Sequence, residues 1–293
     1  MISKKHELYL CGILILSAVG SFFVVHGPAQ ADGLLHIYFL NVGQGDSIFI
    51  QAPDGTQILI DGGPGSRVIQ ELGSVLPIGD RSIDAVIATH TDADHITGLV
   101  EVLKQYEVAQ IIETGMSCVT VICSQWEREA SAEGSPRIIA QRGYRVSLGD
   151  EFILEVVSPA QSVKGQTLSK TNNGAIVLKL RYKNQTALFT GDIEKKVEDE
   201  LLRDGIALDV DFLKVAHHGS KTSTTQSFLD AVSPLIAFIQ VGSTNRYGHP
   251  APPTIERLEK FPGLVYYRTD INGRIELLLD GQNYAVKTEQ SSN

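Results

Sequence analysis

From residue 34 onward, short apolar runs alternate with glycine-rich turns. Leu35-His36-Ile37-Tyr38-Phe39-Leu40 reads as a strand that enters the turn Asn41-Val42-Gly43-Gln44-Gly45-Asp46, and Ser47-Ile48-Phe49-Ile50 returns. Ala52-Pro53-Asp54-Gly55 signals another turn, before the strand Gln57-Ile58-Leu59-Ile60 that ends at Asp61-Gly62-Gly63. The spacing predicts a helix over 68–76, a strand over 85–88 ending at His90, and a helix over 96–106, where Leu99, Leu103 and Tyr106 recur at helical intervals. Residues 118–145 are the least regular and read as an insertion. Strands are expected at 152–157, 175–180 and 187–190, with a helix after Asp192 that puts Val197 and Leu201 on one face. A strand over 211–216, a helix over 226–232 and a strand over 235–241 follow. A helix over 254–260 and strands at 265–268 and 274–279 complete the pattern. Strand-rich blocks that alternate with helices, twice over, predict an α/β protein of two packed sheets with helices outside. No linker rich in Pro, Gly or Ser breaks residues 34–287, so one domain over 32–293 is expected.

The first 31 residues differ. Lys4 and Lys5 precede an apolar stretch over 8–25, then Gly27-Pro28 and Ala29-Gln30-Ala31. This is the layout of a secretory signal peptide. The apolar part also approaches the roughly 18 residues that span a bilayer, so a single uncleaved membrane anchor is the alternative. Either reading makes the domain exported, secreted or held at the outer face of the cytoplasmic membrane. Cys118 and Cys123 then form a disulfide or remain two buried thiols.

With 293 residues and a formal charge of −9, the chain is long enough for one large domain and too acidic to coat nucleic acid non-specifically. Acidity does not exclude a phosphate substrate, because bound dications reverse the local sign. His90-Thr91-Asp92-Ala93-Asp94-His95 places four metal-binding side chains within six residues, directly after an apolar strand. A turn there sends His90 and Asp92 to one side and Asp94 and His95 to the other, which suits two divalent ions that polarise an ester oxygen and make hydroxide from water. The same design recurs: one strand ends at Gly191-Asp192 and another at His217-His218. Asp192, with two carboxylate oxygens, can bridge two ions. Asp61 reads as the carboxylate that orients a ligand histidine or as a turn residue, and Asp46 as a similar support or a turn cap. Asn245, Tyr247 and His249 occupy a polar loop within reach of substrate, and Lys214 and Lys221 read as solvated lysines beside the double histidine.

These motifs resemble the metallo-β-lactamase superfamily, whose signature is H-x-[HD]-x-D-H. They are similar in particular to the soluble domain of competence DNA-uptake proteins of the ComEC type and its free-standing relatives. The resemblance rests on the segments 39–46, 59–63 and 90–95, on Thr171-Asn172-Asn173, and on 190–194, 213–220 and 245–250, in family order. It implies a four-layer αββα sandwich of two mixed β-sheets with outer helices. It implies two ions, one on His90 and Asp92, the other on Asp94 and His95, bridged by Asp192. His217 or His218 completes the second ion while its neighbour faces substrate. Asp94, His218 and His249 are the catalytic candidates, and Asn173 joins Asp61, Asn245 and Tyr247 as support or substrate contacts. Many relatives have Asp where this chain has Asn41. No histidine lies between His95 and His217, and Asn172-Asn173 stands where the superfamily often has one. The site is therefore oxygen-rich, which admits Mn as well as Zn. The expected function is metal-dependent hydrolysis of a phosphodiester or nucleic acid. The alternatives are lactonase, thioesterase or β-lactamase activity, or a binding domain with an idle site.

Overall fold

The computed structural model describes residues 32–290, so the signal or anchor expected over 1–31 lies outside the described residues. Two sheets face each other. The first has eight strands in the order Tyr284–Thr288, Ile275–Leu279, Leu35–Phe39, Ile48–Gln51, Gln57–Ile60, Ala85–Ala88, Ile111–Glu113, Arg137–Ile139. The second has seven, in the order Val265–Arg268, Ile236–Ile239, Phe212–Lys214, Gln185–Phe189, Val177–Tyr182, Phe152–Ser158, Arg145–Leu148. Each sheet is antiparallel at one end and parallel at the other. Gln57–Ile60, Ala85–Ala88, Ile111–Glu113 and Arg137–Ile139 run parallel in the first. Gln185–Phe189, Phe212–Lys214, Ile236–Ile239 and Val265–Arg268 run parallel in the second.

Three apolar layers hold these elements. The central one joins the inward faces of both sheets, and Phe39 stacks on Phe238 across it with ring centroids 4.1 Å apart. The second seats the helices Arg67–Val75, Ala93–Leu103 and Val121–Glu133 on the first sheet through residues such as Leu72, Leu99 and Trp126. The third does the same for Lys195–Arg203, Gln226–Val232 and Pro252–Lys260 on the second sheet, through Leu201, Phe228 and Leu258. The architecture is the four-layer αββα sandwich.

The described structure differs from the sequence expectations at three places. The helix expected over 96–106 is Ala93–Leu103, so Asp94 and His95 lie inside its first turn. The stretch 118–145 is not irregular. It holds the helix Val121–Glu133, which buries Cys123, Trp126 and Ala130 along a narrow stripe, and the edge strand Arg137–Ile139. Few apolar residues mark that stripe, which hides its helical period. Cys118 and Cys123 are joined as a disulfide at the start of this helix. Tyr284–Thr288, mostly exposed, adds an edge strand to the first sheet.

Candidate metal centre

Strands of both sheets deliver their carboxyl ends to one rim, the place where open α/β sheets bind ligands. Gln57–Ile60 ends at Asp61, Ala85–Ala88 leads to His90, Gln185–Phe189 to Asp192, Phe212–Lys214 to His217 and His218, and Ile236–Ile239 to Gln240. Close backbone approach sets the first of these. A side chain on Gly98 would collide with the Gly62 carbonyl, so the turn after Asp61 rests directly on the helix that carries His95. Gly62 N–H donates to the His95 carbonyl at 2.8 Å and Gly98 N–H to that of Gly63 at 2.9 Å.

The Asp61 carboxylate then organises two imidazoles. It accepts from His95 Nδ1 at 2.8 Å, from the Thr89 amide at 2.8 Å and from the Thr89 hydroxyl at 2.7 Å. Because that hydroxyl donates to Asp61, its oxygen accepts from His90 Nδ1, 2.9 Å away. His218 Nδ1 donates to the Gln240 carbonyl at 2.9 Å. Each ring thus carries its proton on Nδ1 and points the Nε2 lone pair inward. The Nε2 atoms of His90, His95 and His218 are buried and have no hydrogen-bond partner among the described residues. Three buried acceptors without donors are what a cation site requires.

Asp192 lies at the point of convergence. Its Oδ2 is 3.3 Å from both His95 Nε2 and His218 Nε2, and Asp94 Oδ2 is also 3.3 Å from His218 Nε2. Asp94, His95, Asp192 and His218 form a group able to hold an ion. Asp192 is no helix cap, since the following helix is capped at Glu194. Burial raises the Asp192 carboxyl, but the imidazoles of His218 and His95 outweigh it and hold it well below the usual range. Burial likewise opposes protonation of His95 and His218, yet Asp192, with Asp61 behind one ring and Asp46 behind the other, raises both. A field that draws a proton to these nitrogens also draws a dication.

Lys214 corrects a sequence expectation. It is fully buried, not solvated: it pairs with Asp46, donates to the Gly191 carbonyl at 3.1 Å and sits 3.9 Å from Asp192 Oδ1. Asp46 also stands 3.2 Å from His218 Nδ1, and Lys221 is exposed. A cation flanked by the apolar residues Phe212-Leu213 and Val215-Ala216 is the available sign that it pairs in the interior.

The other side is looser. His90 Nε2 and Asp92 Oδ2 are 3.7 Å apart, and Asp92 accepts from the Thr171 hydroxyl at 2.5 Å rather than capping its helix. His217 Nε2 is 3.7 Å from Asp192 Oδ2, and its Nδ1 is 3.4 Å from the Asn172 amide nitrogen. The Asn173 side-chain oxygen is buried without a partner. The φ angles of His217 and His218 are 51° and 52°, so two consecutive side-chain-bearing residues occupy the left-handed region. Such strain costs about 1–3 kcal/mol per residue and concentrates at functional sites. The His249 ring lies 5.5 Å from that of His217 and 6.3 Å from that of His218. Burial, with His218 and His217 adding to it, lowers His249 to about 4.

Asn245 does not extend toward the rim. Its amide donates to the Gly242 and His249 carbonyls and accepts from the Tyr247 and His249 amides, which fixes the His249 loop. Tyr247 is exposed and stacks on His249 at 5.8 Å. Sequence pattern assigns no role to Thr89, Thr171 or Gln240, although Thr171 opens the Thr171-Asn172-Asn173 motif. Their polar atoms act on other residues' side chains, and only the adjacency of Thr89 to His90 and of Thr171 to Asn172 hinted at it.

The model for the "Metallo-beta-lactamase superfamily" matches residues 40–242. ComE operon protein 3 of Bacillus subtilis is 30% identical over 254 residues, covering 81% of this chain and 32% of that protein. Recombination protein 2 of Haemophilus influenzae is 30% identical over 243 residues, covering 81% of this chain and 28% of that protein. The chain thus spans about a third of the length of these curated relatives. Among solved structures, the metallo-beta-lactamase fold protein YhfI from Bacillus subtilis superposes with a TM-score of 0.52 at 14% identity, over 79% of this chain and 95% of that one. That likeness concerns the fold.

Proposed function

The chain belongs to the metallo-β-lactamase superfamily, and from that premise we propose that it is an exported, metal-dependent phosphodiesterase or nuclease. The observation that carries this reading is the convergence of the buried, partnerless Nε2 atoms of His95 and His218 on the Asp192 carboxylate, with the ring of His90, its Nε2 also partnerless, 4.1 Å from that of His95. This donor set fits divalent metal. Asp94, His95, Asp192 and His218 would hold one ion, and His90 and Asp92 would contribute to a second. Divalent ions there lower the pKa of water toward neutrality and polarise a phosphoryl oxygen. The chain does the rest. Asp61, through His95 and Thr89, and the Gln240 carbonyl, through His218, keep the ring lone pairs aimed inward. His217, held beside Asn172 at the open edge, donates to the developing charge on the leaving oxygen. His249 stands next to it and, with its proton affinity depressed, serves as an acceptor in the same pocket.

Asp92 and the asparagines at 172 and 173 make the donor set richer in oxygen than three histidines would, which favours Mn beside Zn and disfavours β-lactam hydrolysis. The test offers metal-loaded protein a single-stranded DNA, an RNA and bis(p-nitrophenyl) phosphate, with Mn or Zn. Cleavage of at least one is expected. No cleavage of any of them overturns the reading.

A further inference from the structure

Beside the metal centre lies a cavity of about 300 Å³ that the proposed chemistry leaves unused. Asn41, Gln44, Arg67, Gly242, Asn245 and Asp270 help to line it. Its charges do not cancel. Asp270 is held by both arms of the Arg268 guanidinium, at 3.0 and 2.6 Å. Arg67 is exposed, lies in a helical turn without an acidic residue, and forms no hydrogen bond or ion pair among the described residues. On a chain of net charge −9 this is a cation set apart. Gln44 adds a donor. Its Oε1 accepts from the Gly242 amide at 3.2 Å, while its Nε2 is buried without a partner. The wall therefore offers a guanidinium fork and an amide N–H, the donor set for an oxyanion with several acceptor oxygens.

The cavity is built from the same two loops as the metal centre. Gln44 is two residues from Asp46, which touches Lys214 and His218, and Gly242 is two residues from Gln240, which anchors His218. Two residues span at most about 7 Å of chain. The loops meet so closely that a side chain on Gly242 would strike the Gln44 amide nitrogen at 2.7 Å. The same loops touch the open face of the cluster: the Asp46 amide donates to the Asp94 carbonyl at 3.3 Å, and the Asn245 amide, on the cavity wall, donates to the His249 carbonyl at 2.7 Å.

We propose that this cavity is a subsite for a second phosphate of the substrate, with Arg67 as its anchor, so that the substrate class is an oligomeric phosphodiester and not a lone ester. The inference rests on the phosphodiesterase reading, and two measurements separate them. The first compares metal-loaded wild type with Arg67→Gln and Arg67→Glu on a single-stranded hexanucleotide and on bis(p-nitrophenyl) phosphate, which has one phosphate. The ratio of kcat/KM for the oligomer to that for the small ester is expected to fall about tenfold in Arg67→Gln and further in Arg67→Glu. The second measures binding of a cleavage-resistant phosphorothioate hexanucleotide by fluorescence anisotropy, with the Kd expected to rise about tenfold or more. Hydrolysis by wild type with an unmoved ratio and an unmoved Kd overturns the subsite alone. Arg67-dependent binding without hydrolysis of either substrate supports the subsite and overturns the hydrolase. Wild type that does not bind the oligomer overturns the subsite.

Discussion

The two sides of Asp192 are built from similar residues and differ in how they are held. On one side the side chains of His95 and His218 are 0% and 1% exposed, and each has its Nδ1 fixed by an acceptor from another element. On the other, the side chains of Asp92 and His217 are 39% and 22% exposed, and their partners Thr171 and Asn172 belong to a short 3₁₀ turn. The difference teaches a division of labour. Under the proposed function the buried side positions charge, and the edge formed by Asp92 and His217 is where substrate enters.

Replacing each member of the double histidine breaks or sharpens this contrast most strongly. His218→Ala is expected to lower kcat/KM about 10³-fold or more, with loss of bound metal measured by elemental analysis. His217→Ala is expected to cost about 10²-fold with metal retained. Equal metal loss in both would erase the distinction. Asp61→Asn removes an acceptor behind the rigid side, and metal affinity read by chelator competition should fall about 10–100-fold. On the open side, Thr171→Val deletes one hydrogen bond to a partly exposed carboxylate. A drop in kcat/KM of about fivefold is expected, and a loss as large as that of Asp61→Asn would mean that the open side is equally constrained.

Much of this was legible in the chain itself. The apolar runs before His90, Asp192 and His217 are short, continuous and stop at polar residues, as buried parallel strands do, so both the sandwich and its rim follow from pattern. The structure separates His217 from His218, which adjacency in sequence cannot do, because only the two left-handed backbone conformations send the rings apart. Lys214 was misread because charge pairing in the interior depends on Asp46, 168 residues away in sequence. The helix Val121–Glu133 is hard to read because its buried stripe is narrow and the apolar Val121 at its start faces solvent.

The buried ammonium of Lys214 also bears on the order in which this molecule matures. Asp46, shut away from water, would resist closure of the two sheets without a cation beside it. The lysine supplies a resident counter-charge carried by the polypeptide, so the sandwich can close on its own schedule. Closure of the core therefore need not wait for a bound ion.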